Sequence, residues 1–308
     1  MSTVSRSPGV EAVRVKGRWA AYRWLVYRRL VQFGILALFL AGPWAGVWIV
    51  KGNLGSSLVL DTIPLTDPYI LMQSLFARHG PELTAVMGAL VVIAIYVLFG
   101  GRTYCAWVCP INAVTDTAQW LRRRLRLKGG ARLSPATRYW LLGASLLVAA
   151  VTGTIAWELL NPVSMVFRGL VFGMGAAWFV ILAVFLFDLL VSERGWCGHL
   201  CPVGAFYSIP GRVSVVRVSA ADRERCNDCA DCLKVCPEPQ VLKLPVFSAG
   251  PDTSPVVLSP NCTNCGRCID VCTEDVFHFS TRFSRARYPA SQFVEETQSN
   301  SPGCAKSA

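Results

Sequence analysis

The sequence predicts an α-helical membrane protein of four transmembrane helices, arranged as a parallel two-helix repeat, followed by a separate water-soluble C-terminal domain. Three observations carry this. The 308 residues are 53% hydrophobic and only 16% charged, less charge than a soluble domain of this length carries. The long apolar runs lie before about position 191, and an ordinary polar mixture follows. A cysteine-bearing string recurs after the second and the fourth apolar segments.

The predicted spans are 30–50, 83–100, 139–157 and 170–191, each near the roughly 20 residues that cross hydrocarbon. The first starts too late, and lacks the small-residue cleavage site, to be a secretory signal. Lys and Arg set the orientation. Residues 1–29 hold seven and residues 101–138 hold eight, among them Arg122, Arg123, Arg124 and Arg126; segments 51–82 and 158–169 hold two and one. Both termini, and everything after 191, are therefore expected in the cytoplasm. The expected division is a cytoplasmic N-terminal segment 1–29, a membrane domain 30–191, a cytoplasmic domain 192–288 with a loop at 245–255, and a disordered tail 289–308 that carries Cys304. Trp19, Trp24, Tyr139 and Trp157, near span ends, read as interfacial anchors.

The repeat aligns Arg102-Thr-Tyr-Cys105-Ala-Trp-Val-Cys109-Pro110 with Arg194-Gly-Trp-Cys197-Gly-His-Leu-Cys201-Pro202. A weaker pair, Asp67-Pro68 and Asn161-Pro162, lies upstream. Two helix pairs of one orientation imply a parallel repeat about the membrane normal. The four-residue spacing puts Cys105 and Cys109 on one helical face, and likewise Cys197 and Cys201. Three readings stand for these four: a third metal site, a redox-active thiol set, or small apolar packing residues. His199 and Asp188 are candidate proton acceptors, an acid in a span being costly enough to suggest function. Asp61 and Asp67 read as solvated or turn-forming.

Cysteine arithmetic gives the strongest signal. Of thirteen cysteines, eight form Cys226-x2-Cys229-x2-Cys232-x3-Cys236 and Cys262-x2-Cys265-x2-Cys268-x3-Cys272. Spacing of two lets one turn grip three irons of a cubane, and the fourth cysteine reaches the other cluster. The expected sets are Cys226, Cys229, Cys232 with Cys272, and Cys262, Cys265, Cys268 with Cys236. The rival is a pair of zinc sites, but zinc ribbons use paired C-x2-C knuckles. Ligating eight thiolates to two clusters in the 2+ state lowers the formal charge of +11 by four. The remaining excess flanks the spans, and no basic and aromatic alternation reads nucleic acid.

Residues 217–282 resemble the bacterial two-cluster ferredoxin fold, an α+β two-[4Fe–4S] domain, although Thr273 stands where proline usually follows the second run. With the two C-x3-C-P strings, residues 25–282 resemble the NapH/MauN family of ferredoxin-type membrane proteins. That resemblance implies a quinol dehydrogenase component of the bacterial inner (cytoplasmic) membrane. It would pass electrons from membrane quinol toward a periplasmic reductase of the nitrate reductase system, or serve the equivalent step of methylamine utilisation. The implied partners are membrane lipid and quinol, a NapG-like iron–sulfur subunit and a membrane-anchored multihaem cytochrome. A second class of function, assembly or maturation of a metalloenzyme, also accommodates the membrane cysteines. Charge bias places the clusters inside while the family's acceptor lies outside, which assigns the four membrane cysteines an interest of their own.

Overall fold

The protein is described from a computed structural model, which covers residues 7–284 apart from 128, 132, 174, 176 and 248–252. The tail and Cys304 lie outside the described residues. The chain forms two compact units: a larger one of Arg23–Val215 with Pro260–Cys265, and a smaller one of the residues up to Tyr22, Val216–Ser259 and Gly266 onward. Residues 192–215, grouped by sequence with the C-terminal part, thus pack in the larger unit.

Helix α1 (Val10–Ala45) runs 36 residues, much longer than its apolar stretch. Basic residues such as Arg14, Lys16 and Arg18 extend it toward the N-terminus, because helix formation does not require apolarity. Gly17, at φ 81°, breaks it within the smaller unit's share of the chain. The segment 51–82, expected as an outer loop, instead opens on an antiparallel meander of β1 (Val50–Gly52), β2 (Ser56–Val59) and β3 (Ile63–Thr66). Asp67 then caps α2 (Pro68–Phe76), accepting from Tyr69 N at 2.9 Å, with Pro68 at the first helical position. That is the arrangement in which proline costs no hydrogen bond.

Helix α3 (Leu83–Phe99) matches the second predicted span. β3 lies along it so closely that a Cβ on Gly88 would stand 2.9 Å from Thr66 Oγ1 and 3.1 Å from the Pro64 carbonyl carbon. The first C-x3-C-P string makes the short α4 (Thr103–Trp107) and opens α5 (Ile111–Arg124). Helix α6 (Thr137–Thr152) is shorter than the predicted third span, since Gly153 ends it in a left-handed cap bonded to Ala149 O. Trp157 falls in the next turn, α7 (Ala156–Leu160).

The fourth span is not one helix. Asn161 caps α8 (Pro162–Phe172) as Asp67 caps α2, accepting from Val163 N at 3.1 Å. Gly173, at φ 104°, separates α8 from α9 (Ala177–Leu186), which ends in a π-helical turn Phe187–Val191. The second cysteine string forms a π-helical turn, Trp196–Leu200, and opens α10 (Pro202–Gly211). By length and composition only α1 clearly suffices to cross a bilayer among the described residues; Leu83–Phe99, Thr137–Thr152, Pro162–Phe172 and Ala177–Val191 are shorter apolar helices.

In the smaller unit, β4 (Val216–Ser219) pairs antiparallel with β5 (His278–Thr281). Between them come α11 (Asp231–Val235), α12 (Gln240–Leu242) with a π turn Lys243–Phe247, and α13 (Arg267–Val271). The expected loop at 245–255 therefore begins inside helical structure. The N-terminal arm packs here: Gly9 N donates to Asp231 Oδ2 at 3.2 Å, and Lys16 pairs with Asp275.

Candidate functional site

The two C-terminal cysteine runs share a backbone design. Asp228 and Ala230 take left-handed φ of 53° and 58°; Asn264 and Gly266, at the same offsets in the second run, take 47° and 71°. Left-handed residues curl a chain tightly, so the two loops share one backbone turn. In each loop the first thiol lies against the side-chain oxygen two residues on, Cys226 Sγ at 3.6 Å from Asp228 Oδ1 and Cys262 Sγ at 3.5 Å from Asn264 Oδ1. A short helix follows, α11 or α13, and the fourth cysteine caps it in extended conformation.

Cys232 is buried, and its electrostatic neighbours are Cys226, Cys229 and Cys272. Burial, then those neighbouring sulfurs, push its thiol up to about 12. Within the smaller unit, then, three sulfurs of the first run and the last of the second converge. The donor set is soft and all-sulfur, which suits iron–sulfur chemistry. Among the described residues no three His, Cys, Asp or Glu side chains are placed to hold a single metal ion. Cys262 and Cys265 belong to the larger unit, while Cys236, Cys268 and Cys272 belong to the smaller.

The structure brings Cys105, Cys109, Cys197 and Cys201 together inside the larger unit: Cys197 has all three others as electrostatic neighbours. Both strings close the same way. Cys109 N donates to Tyr104 O at 3.0 Å and Cys201 N to Trp196 O at 2.9 Å, each five residues back, before the proline. Such widened turns are rare and concentrate at functional sites. Burial raises the thiols of Cys109 and Cys197 well above the ordinary range. Cys201 rises less, to about 11, being held down by the backbone N–H groups of Gly204 and Val203 and by the Arg102 guanidinium. The clustering accommodates a metal or cluster site, a redox-active thiol set and apolar packing alike.

The peptide carrying Cys262 and Cys265 is bound to this cysteine group. Asn264 Nδ2 donates to Phe99 O at 2.9 Å, and Trp107 Nε1 donates to Asn264 O at 3.0 Å. Buried Arg102 donates to Asn261 O at 3.1 Å and to Cys197 O at 3.3 Å. One guanidinium thus links the second C-terminal cysteine run to the second C-x3-C-P turn. Arg138 Nη1 adds a bond to Gly198 O in that turn, 3.0 Å.

Asp188 is 1% exposed and accepts from Trp196 N at 2.9 Å, so it pins the turn that presents Cys197. His199 is partly buried in the same turn. Asp61 is solvent-exposed and paired with Lys51 at 2.7 Å, as its sequence context predicts. Asp67 forms the expected turn cap but is not simply solvated: it is partly buried and accepts from Tyr207 OH at 3.1 Å. Around it lie Tyr69, Tyr96, Tyr104, Phe206 and Tyr207, a cluster that also packs on Cys105, Cys109 and Cys201. Trp157, expected as an interfacial anchor, packs against the same cluster. Sequence reasoning missed this assembly. The one available signal was the upstream pairing of Asp67-Pro68 with Asn161-Pro162.

Comparison with known proteins bears on these sites. The profile of a family described as a 4Fe-4S binding domain matches residues 82–128 and 174–219. Those stretches contain the two C-x3-C-P strings. The ferredoxin-type protein NapH of Escherichia coli K12 is 52% identical over 285 residues, covering 92% of this chain and 98% of that protein. NapH of Haemophilus influenzae is 49% identical, covering 93% and 99%. The methylamine utilization ferredoxin-type protein MauN of Methylorubrum extorquens is 50% identical, covering 88% and 94%. No solved structure matches.

Proposed function

This chain belongs to the family of the ferredoxin-type proteins NapH and MauN, and from that premise we propose that it is a membrane-bound iron–sulfur electron carrier that draws electrons from quinol. The carrying observation is the contact between cysteine groups inside the larger unit. Asn261 O and Asn264 O accept from the Arg102 and Trp107 side chains, Asn264 Nδ2 donates to Phe99 O, and Arg102 also donates to Cys197 O. A redox centre in one group would thus have the other as its hydrogen-bonded neighbour.

In this reading Cys226, Cys229, Cys232 and Cys272 hold one [4Fe–4S] cluster, and Cys262, Cys265, Cys268 and Cys236 hold the second. The clusters supply one-electron steps. Cys105, Cys109, Cys197 and Cys201 form the station nearest the bilayer. Multi-pass insertion is supported by the large apolar side chains exposed along α3, α6 and α9, among them Leu90, Leu98, Trp140, Val151, Phe179 and Leu182. In water each would carry a hydrophobic penalty, and lipid removes it. The Lys and Arg bias then places both termini in the cytoplasm. The electrons are destined for a periplasmic reductase through a NapG-like iron–sulfur subunit and a membrane-anchored multihaem cytochrome. The near-equal identities to NapH and MauN favour keeping the methylamine pathway as the second destination.

The test is anaerobic purification followed by iron and sulfide analysis and titration with a short-chain quinol, watched by EPR. Cluster signals should grow on adding quinol. If dithionite reduces the clusters and quinol does not, with the partner subunit present, the quinol reading fails. Two zinc ions and no iron would overturn the cluster assignment.

A further inference from the structure

We propose that the larger unit binds a quinol headgroup along α2, between the Asp67 carboxylate at one end and the Gln73 and Trp157 N–H donors at the other. The inference rests on the quinol reading above and gives it a place.

The first observation is depth. Asp67 stands where β3 meets α2, and β3 lies against α3 at Gly88, the sixth residue of that 17-residue helix. Two residues on, Tyr69 OH shares a hydrogen bond of 2.7 Å with Ser145, the ninth residue of the 16-residue α6. Two independent helices therefore place the start of α2 within their lengths rather than at their ends. If α3 and α6 span the bilayer, the β1–β3 meander folds back into it and α2 is a half-helix that begins inside it. Non-helical backbone is tolerated there only where protein buries it or where it lines a site. Half-helix N-termini at that depth are where membrane proteins place polar ligand groups.

The second observation is the repeat. Asn161 caps α8 in the way that Asp67 caps α2, so a neutral amide suffices for the cap. The carboxylate at Asp67 is more than capping requires. Its added bond from Tyr207 has no matched partner in the repeat, where Thr115 occupies the position of Tyr207 and lies 3.8 Å from the Cys197 sulfur. The acid therefore marks one of two pseudo-equivalent positions.

The third observation is a set of orphaned donors. Gln73 is 0% exposed, and Trp157 N donates to its Oε1 at 3.3 Å, which turns the amide nitrogen away. Gln73 Nε2 and Trp157 Nε1 are both buried without a hydrogen-bond partner. Leaving such donors unpaired is unfavourable, and a ligand oxygen removes that cost. Gln73 lies four residues from Tyr69, on the same helix face. From Asp67 to Gln73 the helix rises about 9 Å, comparable with a hydroquinone ring and one hydrogen bond at each end.

The chemistry is complementary. An ionised carboxylate only accepts, and so takes the hydroxyl hydrogen of a quinol; the amide and indole N–H only donate, and so hold the far oxygen. The aromatic rings of Tyr69, Tyr96, Tyr104 and Tyr207 supply flat apolar contact, and Asp67 itself stays partly exposed. The same cluster touches Cys105, Cys109 and Cys201, which sets the headgroup beside the cysteine group.

The test uses full-length purified protein in detergent with its clusters in place. Binding of 2-heptyl-4-hydroxyquinoline N-oxide, a fluorescent quinol analogue, is followed by quenching. Asp67→Asn keeps the cap that Asn161 demonstrates, and Gln73→Leu removes one donor from the other end. Each should raise Kd at least tenfold, Asp67→Asn with an unchanged unfolding midpoint and Gln73→Leu with a lowered one because Trp157 N loses its acceptor, while Asp61→Asn, at the exposed Lys51 pair, should bind as the parent does. Should Asp67→Asn unfold, Gln73→Leu decides alone. Parent-like binding by both variants overturns the proposal and leaves the quinol reading standing. If the parent neither binds the analogue nor is reduced by quinol, the quinol reading itself has failed and this site falls with it.

Discussion

Gly101→Ala should unseat the cysteine group. A Cβ on Gly101 would stand 2.1 Å from the Tyr207 carbonyl oxygen, 2.3 Å from Gly211 N and 2.6 Å from Gly211 Cα. Ordinary contact begins near 3.4 Å, so α10 must retreat by about 1.3 Å, and every obstructing atom is backbone that no rotamer change can clear. Overpacking of this kind costs about 1–3 kcal/mol, and a rigid obstacle puts the cost at the upper end. About 3 kcal/mol is a factor of roughly 150 in the folding equilibrium. Because α10 carries Tyr207 and follows Cys201, the retreat also opens the four-cysteine group. The control is Gly143→Ala in α6, where a Cβ meets nothing within 4 Å and the change favours the helix by up to about 1 kcal/mol. Tryptophan fluorescence during thermal unfolding in detergent, with iron content measured alongside, reads both. Equal midpoints and equal iron in the two variants would refute the reasoning.

Three further outcomes are expected. Cys229→Ser should lower iron by about four atoms per chain, read by anaerobic metal analysis; unchanged iron would remove Cys229 from the ligand set. Arg102→Gln deprives two buried carbonyls of a charged donor, at about 1.5–3 kcal/mol per bond, and should slow electron exchange between the cysteine groups in rapid-freeze EPR; a parent-like rate would show that the link is only structural. Asp188→Asn keeps an acceptor for Trp196 N and should leave quinol reduction nearly intact, whereas Asp188→Ala orphans that N–H at about 1–3 kcal/mol and should lower the unfolding midpoint; a large rate loss in Asp188→Asn would instead make the acid a proton carrier.

Covalent spacing and local backbone preference were legible in the sequence. The cysteine runs announce their chemistry because ligand spacing is a property of consecutive residues. Helix α3 announces itself because Leu83–Phe99 is continuously apolar. Helix α1 outran its apolar stretch, since Val10–Leu30 is helical with Arg14, Lys16, Arg18 and Arg23 on it. The fourth span was misread for the opposite reason. Its apolar composition runs on through Gly173, but composition does not register a positive φ or the cap at Asn161.

What the sequence alone determined is that the chain carries two C-x2-C-x2-C-x3-C runs and repeats a C-x3-C-P string, because both are written in short-range spacing. Tertiary structure decided what those residues stand beside. It joined the four membrane cysteines across two turns about ninety residues apart in the chain. It tied Asn261 and Asn264 to Arg102, Trp107 and Phe99. It carried Asp67 from an apparent outer loop to the side of Tyr207. These are long-range contacts whose partners are selected by packing and by the need to satisfy buried polar groups, and no window of sequence contains both members of any of them.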